Sequence, residues 1–161
     1  MPDYIKECIE SVKQKNQNYD IILWDNSCLE KYGLEYLLYN TKEAYIANIL
    51  RYKILEEYGG YYVDADTISH GTINDLNIPN DTIFASALLD KGGSYKYQNS
   101  FVACKKGFNF NSFLTEYSPI HPSIHLWDKF CKQNAPYEIS TKLFGRGSKI
   151  FEDIRMSSWN K

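Results

Sequence analysis

A chain of 161 residues with 43% hydrophobic and 16% aromatic side chains is long and apolar enough to bury one core, so 1–161 reads as a single domain and not as disorder. Its formal net charge of -2, with acids and bases interspersed, leaves no footprint for nucleic acid or for an acidic membrane surface. The four cysteines (Cys8, Cys28, Cys104, Cys131) form no CxxC pair, which argues against zinc and for reduced, mostly buried thiols in a cytoplasmic protein. Fourteen tyrosines suit sugar or nucleotide pockets, although the accompanying Asn, Ile and Lys fit an AT-rich coding sequence equally well. No apolar run approaches the roughly eighteen residues needed for a membrane span, and "MPDYIKECIESVKQKNQ" lacks a signal-peptide apolar stretch. The expectation is a cytoplasmic protein, peripheral to a membrane only through a partner.

In chain order, Ile5, Cys8, Ile9 and Val12 at helical spacing predict a helix over Asp3 to Lys15. "NQNYD" breaks it, "DIILW" reads as a short buried strand from Asp20 to Trp24, and "DNS" turns the chain. A second helix is expected over Leu34 to Tyr39. A third begins at Asn40, which stands three residues before Glu43 in capping-box spacing. Ala47, Leu50, Ile54, Leu55 and Tyr58 give that helix one apolar face, and Gly59-Gly60 stops it. "YYV", "IFASALL" and "NSFVAC" read as strands, with the polar loop "DKGGSYKYQ" before the last of them. "NFNSFLTEY" and "SIHLWDKFCKQ" read as helices, and the tail "GRGSKIFEDIRMSSWNK" fits no single pattern. Strands alternating with helices imply a layered α/β domain.

Asp64 and Asp66 stand one residue apart at the end of "GGYYV". Three readings compete for them: a turn at a strand end, a phosphate-handling nucleophile with its general acid, and a metal site. Two carboxylates at the carboxyl edge of a strand repel unless a cation is shared, and hard oxygen donors suit Mg²⁺ or Mn²⁺. Arg51 lies on the helix joined to this strand by the Gly-Gly turn, so it can reach the same edge; metal plus arginine is a combination that holds a diphosphate. "DADT" also resembles the first motif of haloacid-dehalogenase-like phosphohydrolases, with Thr67 one position early for that motif. Lys149, Glu152 and Asp153 match the later motifs of those enzymes poorly.

The segment "AYIANILRYKILEEYGGYYVDADTI" resembles the signature of glycosyltransferases with a DXD sugar-binding region, the group of capsular-polysaccharide and initiating mannosyltransferase-like enzymes, with the clostridial glucosylating toxins as distant relatives. Ala47, Asn48, Arg51, Leu55, Gly59, Gly60, Tyr62, Asp64 and Asp66 occupy the pattern's positions at its spacing. "NYDIILWDNS" and "NSFVACKKGFNF" are similar to flanking segments of that family, the latter with Phe108 and Asn109 in place of its histidine and proline. Position 48 is Asn where many relatives carry Asp.

The resemblance implies a GT-A type, Rossmann-like nucleotide-sugar-binding domain. It also implies hexose transfer from a UDP- or GDP-hexose donor, with retention, to a glycan, lipid-linked or protein acceptor in polysaccharide or related glycan assembly. Asp64 and Asp66 would bind Mn²⁺ or Mg²⁺. Asn48, Arg51, Tyr62 and Asp64 would contact the donor, Ser158 and Trp159 would close over it, and Asp64, Asp66 and Arg51 would be the catalytic group. The family opens with a strand of the "IPKIIHQIW" type that would fall before Met1, so a domain lacking its first strand is expected. A non-catalytic sugar-nucleotide-binding domain is the alternative that follows. His121, His125 and Trp127 could offer ring surfaces to a sugar, although a surface helix start and a core tryptophan account for them as well.

Overall fold

A computed structural model describes residues 1–40, 43–89, 95–116 and 124–154. The helices are α1 (Asp3–Lys15), α2 (Leu37–Asn40), α3 (Glu43–Tyr58), α4 (Asn111–Glu116) and α5 (Ile124–Asn134). The strands are β1 (Gly60–Val63), β2 (Thr67–Ser69), β3 (Phe84–Leu88), β4 (Tyr97–Cys104), β5 (Tyr137–Ile139), β6 (Phe144–Gly145) and β7 (Phe151–Asp153). The α/β class expected from the sequence is the class observed, and it is consistent with a Rossmann-like GT-A domain.

Two sheets form. The larger runs β1-β4-β3-β5, antiparallel except for the parallel β3–β5 pair, and the smaller runs β2-β7-β6. Period-two alternation sorts the apolar strands between two cores. Phe84, Val102 and Cys104 face a layer built from Tyr52 and Leu55 of α3, Phe110 and Phe113 at α4, and Trp127, Phe130 and Cys131 of α5. Ala85, Ala87, Phe101 and Ala103 face Ile73, Leu76, Ile139, Phe144 and Phe151 on the opposite side. Burial on both faces is why these strands read as nearly continuous apolar runs. Trp127 is fully buried and its indole N–H donates to Ser86 Oγ (3.2 Å), so it is a core residue and offers no ring surface to a sugar.

The expected apolar face of α3 is in fact two faces. Tyr52 and Leu55 point to the first core, while Ile46, Leu50 and Ile54 pack on Leu29, Leu34 and Leu37 in a third cluster. The helix is therefore wedged between the sheet and the N-terminal segment. Helix α1 packs on β2, fastened by the Ser69 amide donating to Ser11 Oγ (2.9 Å) and the Ile73 amide to Asn16 Oδ1 (2.7 Å).

Several boundaries move. The second helix shrinks to four residues, preceded by 3₁₀ turns at Asn26–Cys28 and Glu30–Tyr32. The ambiguous tail supplies β7 and the second residue of β6, and β2 forms at Thr67–Ser69, for which the sequence suggested no element. The largest correction concerns Asp20 to Trp24, which is not a buried strand. No strand is assigned there, and Ile22 and Leu23 are 59% and 51% exposed. A β-branched apolar run makes a strand only when a neighbour takes its backbone hydrogen bonds, and none of the described strands lies beside it. Cys8, Cys104 and Cys131 are buried free thiols as expected, and Cys28 is half-buried. The side chains of the Asn40–Glu43 cap, His121, Ser158 and Trp159 lie outside what is described.

Candidate functional site

The helix-turn-strand unit α3–β1 carries the carboxylates. Gly59 and Gly60 take φ of 70° and 91°, and the Gly59 amide closes the helix onto Leu55 O (2.8 Å). Gly59 lies so close to the loop after β4 that a Cβ there would stand 2.5 Å from Lys106 N. The chain then enters β1, antiparallel to β4, and delivers Asp64, whose amide donates to Ser100 O (3.0 Å). A turn closed by Thr67 N to Asp64 O (3.2 Å) carries the chain past Asp66 into β2 of the other sheet. The Ile154 amide, just after β7, donates to Asp66 O (3.2 Å). Asp64 is thus fixed to one sheet and Asp66 to the other.

Arg51 sits beneath this junction, only 3% exposed. Its Nη2 is 3.1 Å from Asp64 Oδ1, and the Tyr62 hydroxyl donates to that same oxygen (3.0 Å). The guanidinium lies 4.4 Å from the centre of the Tyr62 ring, a cation–π contact, and also donates to the carbonyls of Ala47 and Asn99. Both bonds to Asp64 fall on Oδ1, which leaves Oδ2 for a ligand. The reach of Arg51 to the strand edge, expected from the Gly-Gly linkage, is therefore realised through Asp64.

Asn48 is 2% exposed and faces inward; its Oδ1 accepts from Asn99 Nδ2 (3.2 Å), which also donates to the Tyr52 hydroxyl (3.0 Å). Asn48, Asn99 and Tyr52 form a polar brace beside Arg51, with Asn48 and Tyr52 buried and Asn99 half-buried. In the sequence Asn99 is only the start of a flanking segment, and Tyr52 is marked by nothing except its place next to Arg51.

The electrostatics of the pair are unfavourable. Burial, partly offset by Arg51 and Tyr62, holds the Asp64 carboxyl above the ordinary carboxylate range. Burial and then the charges of Asp64 and Asp153 do the same for Asp66. Burial likewise pushes the Tyr62 phenol far up, so it stays a neutral donor. Asp153, weighed from the sequence only as a poor match to a phosphohydrolase motif, is a third carboxylate at this junction. It lies 4% exposed opposite Thr67 in the β2–β7 ladder, and only that pairing, invisible in the sequence, brings it near. Among the described residues no set of three His, Cys, Asp or Glu side chains is arranged to hold a metal ion. The Asp64–Asp66 pair supplies two hard oxygen donors, which suits an octahedral cation that takes its other ligands from water and phosphate.

Comparison with protein families matches residues 2–84, just over half of the chain, to the glycosyltransferase sugar-binding region containing the DXD motif. The chain belongs to this glycosyltransferase family. The match ends at the first residue of β3, so it takes in Arg51, Asp64 and Asp66 and stops short of Asn99 and Asp153. Comparison with curated proteins gave no match. For a member of a glycosyltransferase family, the phosphohydrolase reading of "DADT" falls away.

Proposed function

We propose that this DXD glycosyltransferase transfers a hexose from a UDP- or GDP-hexose donor, with retention, to a glycan, lipid-linked or protein acceptor. The observation that carries the reading is the junction itself: Asp64 and Asp66, both held above the usual carboxylate range, meet over a buried arginine at the end of an apolar strand. Repelling carboxylates whose ionised forms are disfavoured gain most from a shared divalent cation. Asp64 and Asp66 would hold Mn²⁺ or Mg²⁺, and such a cation, when bound, stabilises the charge of a departing nucleoside diphosphate.

The chain's own residues do the rest. Arg51 and Tyr62 orient Asp64 so that Oδ2 faces the ligand, and Arg51 adds a positive charge beneath the diphosphate position. Asn48 is tied through Asn99 to Arg51 and would contact the donor as the family resemblance implies. Ser158 and Trp159, outside the described residues, are the further donor contacts that the family resemblance implies. No protein nucleophile is needed if the acceptor hydroxyl attacks on the face from which the phosphate leaves.

A second reading, a sugar-nucleotide-binding domain without turnover, draws on the burial of Asn48 and Arg51. One assay separates the two. The chain with Mn²⁺ and UDP- or GDP-hexoses is expected to release nucleoside diphosphate, and Asp66→Asn to reduce release by at least a hundredfold. Donor-dependent thermal stabilisation with no release would select the second reading, and neither binding nor release would sink both.

A further inference from the structure

Among the described residues, two buried side-chain oxygens lack a hydrogen-bond partner: Ser100 Oγ and Thr67 Oγ1, on residues 7% and 1% exposed. The other buried serines, Ser69, Ser86 and Ser148, each donate to a backbone carbonyl. A buried hydroxyl left without a partner is costly, and both such hydroxyls stand where the two sheets meet, one in each. Ser100 lies opposite Asp64, the Asp64 amide donating to Ser100 O. Phe101 and Ala103 turn to one side of β4, and Val102 and Cys104 turn to the other, toward α3. Alternation therefore puts Ser100 on the α3 side, with Tyr62 and Asp64 across from it on β1. Ser100 and Asp64 are a cross-strand pair on one face, their Cβ atoms about 4.5–5.5 Å apart.

Thr67 stands opposite Asp153. The Ile154 amide donates to Asp66 O and the His70 amide to Ile150 O. In the alternating antiparallel pattern the bonded pairs are thus the even-numbered ones, and Thr67–Asp153 is a non-bonded pair, the kind whose side chains stand closest. Burial agrees, because Thr67, Ser69, Phe151 and Asp153 form the inward face of this ladder. Each unpartnered hydroxyl is therefore directly across a strand pair from a carboxylate of the junction.

We propose that Ser100 and Thr67 are positioning residues for the cation held by Asp64 and Asp66, their hydroxyls swinging onto Asp64 and Asp153 as the carboxylates close on the ion. The inference rests on the cation reading of the Asp64–Asp66 pair. A carboxylate offers about four lone-pair directions. At Asp64 the Oδ1 atom takes Arg51 and Tyr62, and a donor from Ser100 adds a third fixed point that holds the plane of the carboxylate. Asp153 lies close enough for its charge to act on both Asp64 and Asp66, and a donor from Thr67 fixes where that charge stands. A turn of about 120° about χ1, from one staggered well to the next, redirects either hydroxyl without moving the backbone. Alanine at 100 and valine at 67 would spare the fold its unmade bonds, so the hydroxyls are kept for a bond made outside the resting arrangement.

The test compares the wild type with Ser100→Ala, Thr67→Val, Thr67→Ser and Asp66→Asn. Mn²⁺ affinity is read by titration calorimetry and the urea midpoint is read without the cation. Ser100→Ala and Thr67→Val are each expected to raise the Mn²⁺ Kd about tenfold or more. Their cation-free midpoints are expected to stay or to rise, since neither substitution removes a bond there. Thr67→Ser keeps the hydroxyl and is expected to bind Mn²⁺ as the wild type does. A hydroxyl with a merely structural role would give the opposite pattern, a lower midpoint and an unchanged Kd. Wild-type affinity in Ser100→Ala or Thr67→Val, a lowered cation-free midpoint in either, or equal losses of affinity in Thr67→Ser and Thr67→Val would each overturn the proposal. Where the wild type binds Mn²⁺ and Asp66→Asn does not, any of these results leaves the cation reading standing. A wild type that binds no Mn²⁺ sinks that reading and this proposal together.

Discussion

Arg51 spends its guanidinium on Asp64, two backbone carbonyls and the Tyr62 ring, and this dictates how its loss is felt. Arg51→Met strands a carboxylate that is still about a quarter exposed, so the cost should fall below the roughly 3–5 kcal/mol of breaking a fully buried pair. Asp64→Asn made in the Arg51→Met background should recover part of that loss, and a double-mutant cycle by urea denaturation reads the coupling. Asp66 behaves oppositely. Its folded carboxyl titrates above the ordinary 3.8, so folding disfavours the ionised form. The penalty is fully present above the raised folded value and fades as pH falls toward the unfolded one. Asp66→Asn is therefore expected to stabilise the cation-free protein at neutral pH and to flatten its acid-side pH dependence. It is also expected to abolish stabilisation by Mn²⁺. In the wild type, Mn²⁺ at a hundredfold excess over its Kd should add about 2.7 kcal/mol, or about 5–11 °C in Tm at about 2–4 °C per kcal/mol.

The α3–β1 connection tests whether adjacent glycines do the same work. Both have positive φ, which costs an L-residue about 1–2 kcal/mol, but only Gly59 meets backbone where a Cβ would go. Gly60→Ala should lose about that strain energy. Gly59→Ala should lose clearly more, because Lys106 N and Cys104 O must move and the α3–β4 fit with them. Urea midpoints of the two variants check the ordering. This element was the most legible part of the chain, since a periodic helix, a Gly-Gly stop and an apolar strand are all set by local rules. The parts that were not legible depend on partners distant in sequence. Asp20 to Trp24 has strand composition without a strand beside it, whereas β2 is only three residues long, too short to read as a strand, and becomes one because β7 pairs with it. The site divides the same way: Asp64, Asp66 and Arg51 stand at fixed local spacing, whereas Asp153 and the Asn99–Tyr52 brace arrive only through tertiary pairing.

At the scale of the molecule, the aromatic layer between the larger sheet and α3, α4 and α5 carries the stability. Trp127 contacts Tyr52, Phe84, Phe113 and Phe130 with ring centroids 5.0–5.8 Å apart. Trp127→Ala should cost about 3–5 kcal/mol, a truncation of the whole core that denaturant unfolding measures directly. It should weaken donor binding only through that loss. None of the described helices is long and apolar enough to cross a membrane.

The anchoring of Asp64 to Ser100 and of Asp66 to Ile154 has a mechanical meaning. The three residues 64–66 are the shortest covalent connection between two sheets that carry separate hydrogen-bond ladders. The gap between the carboxylates is accordingly a gauge of the angle between the sheets. A cation gripped by both would act as a rivet across the seam, and whatever tilts one sheet on the other would loosen or tighten that grip.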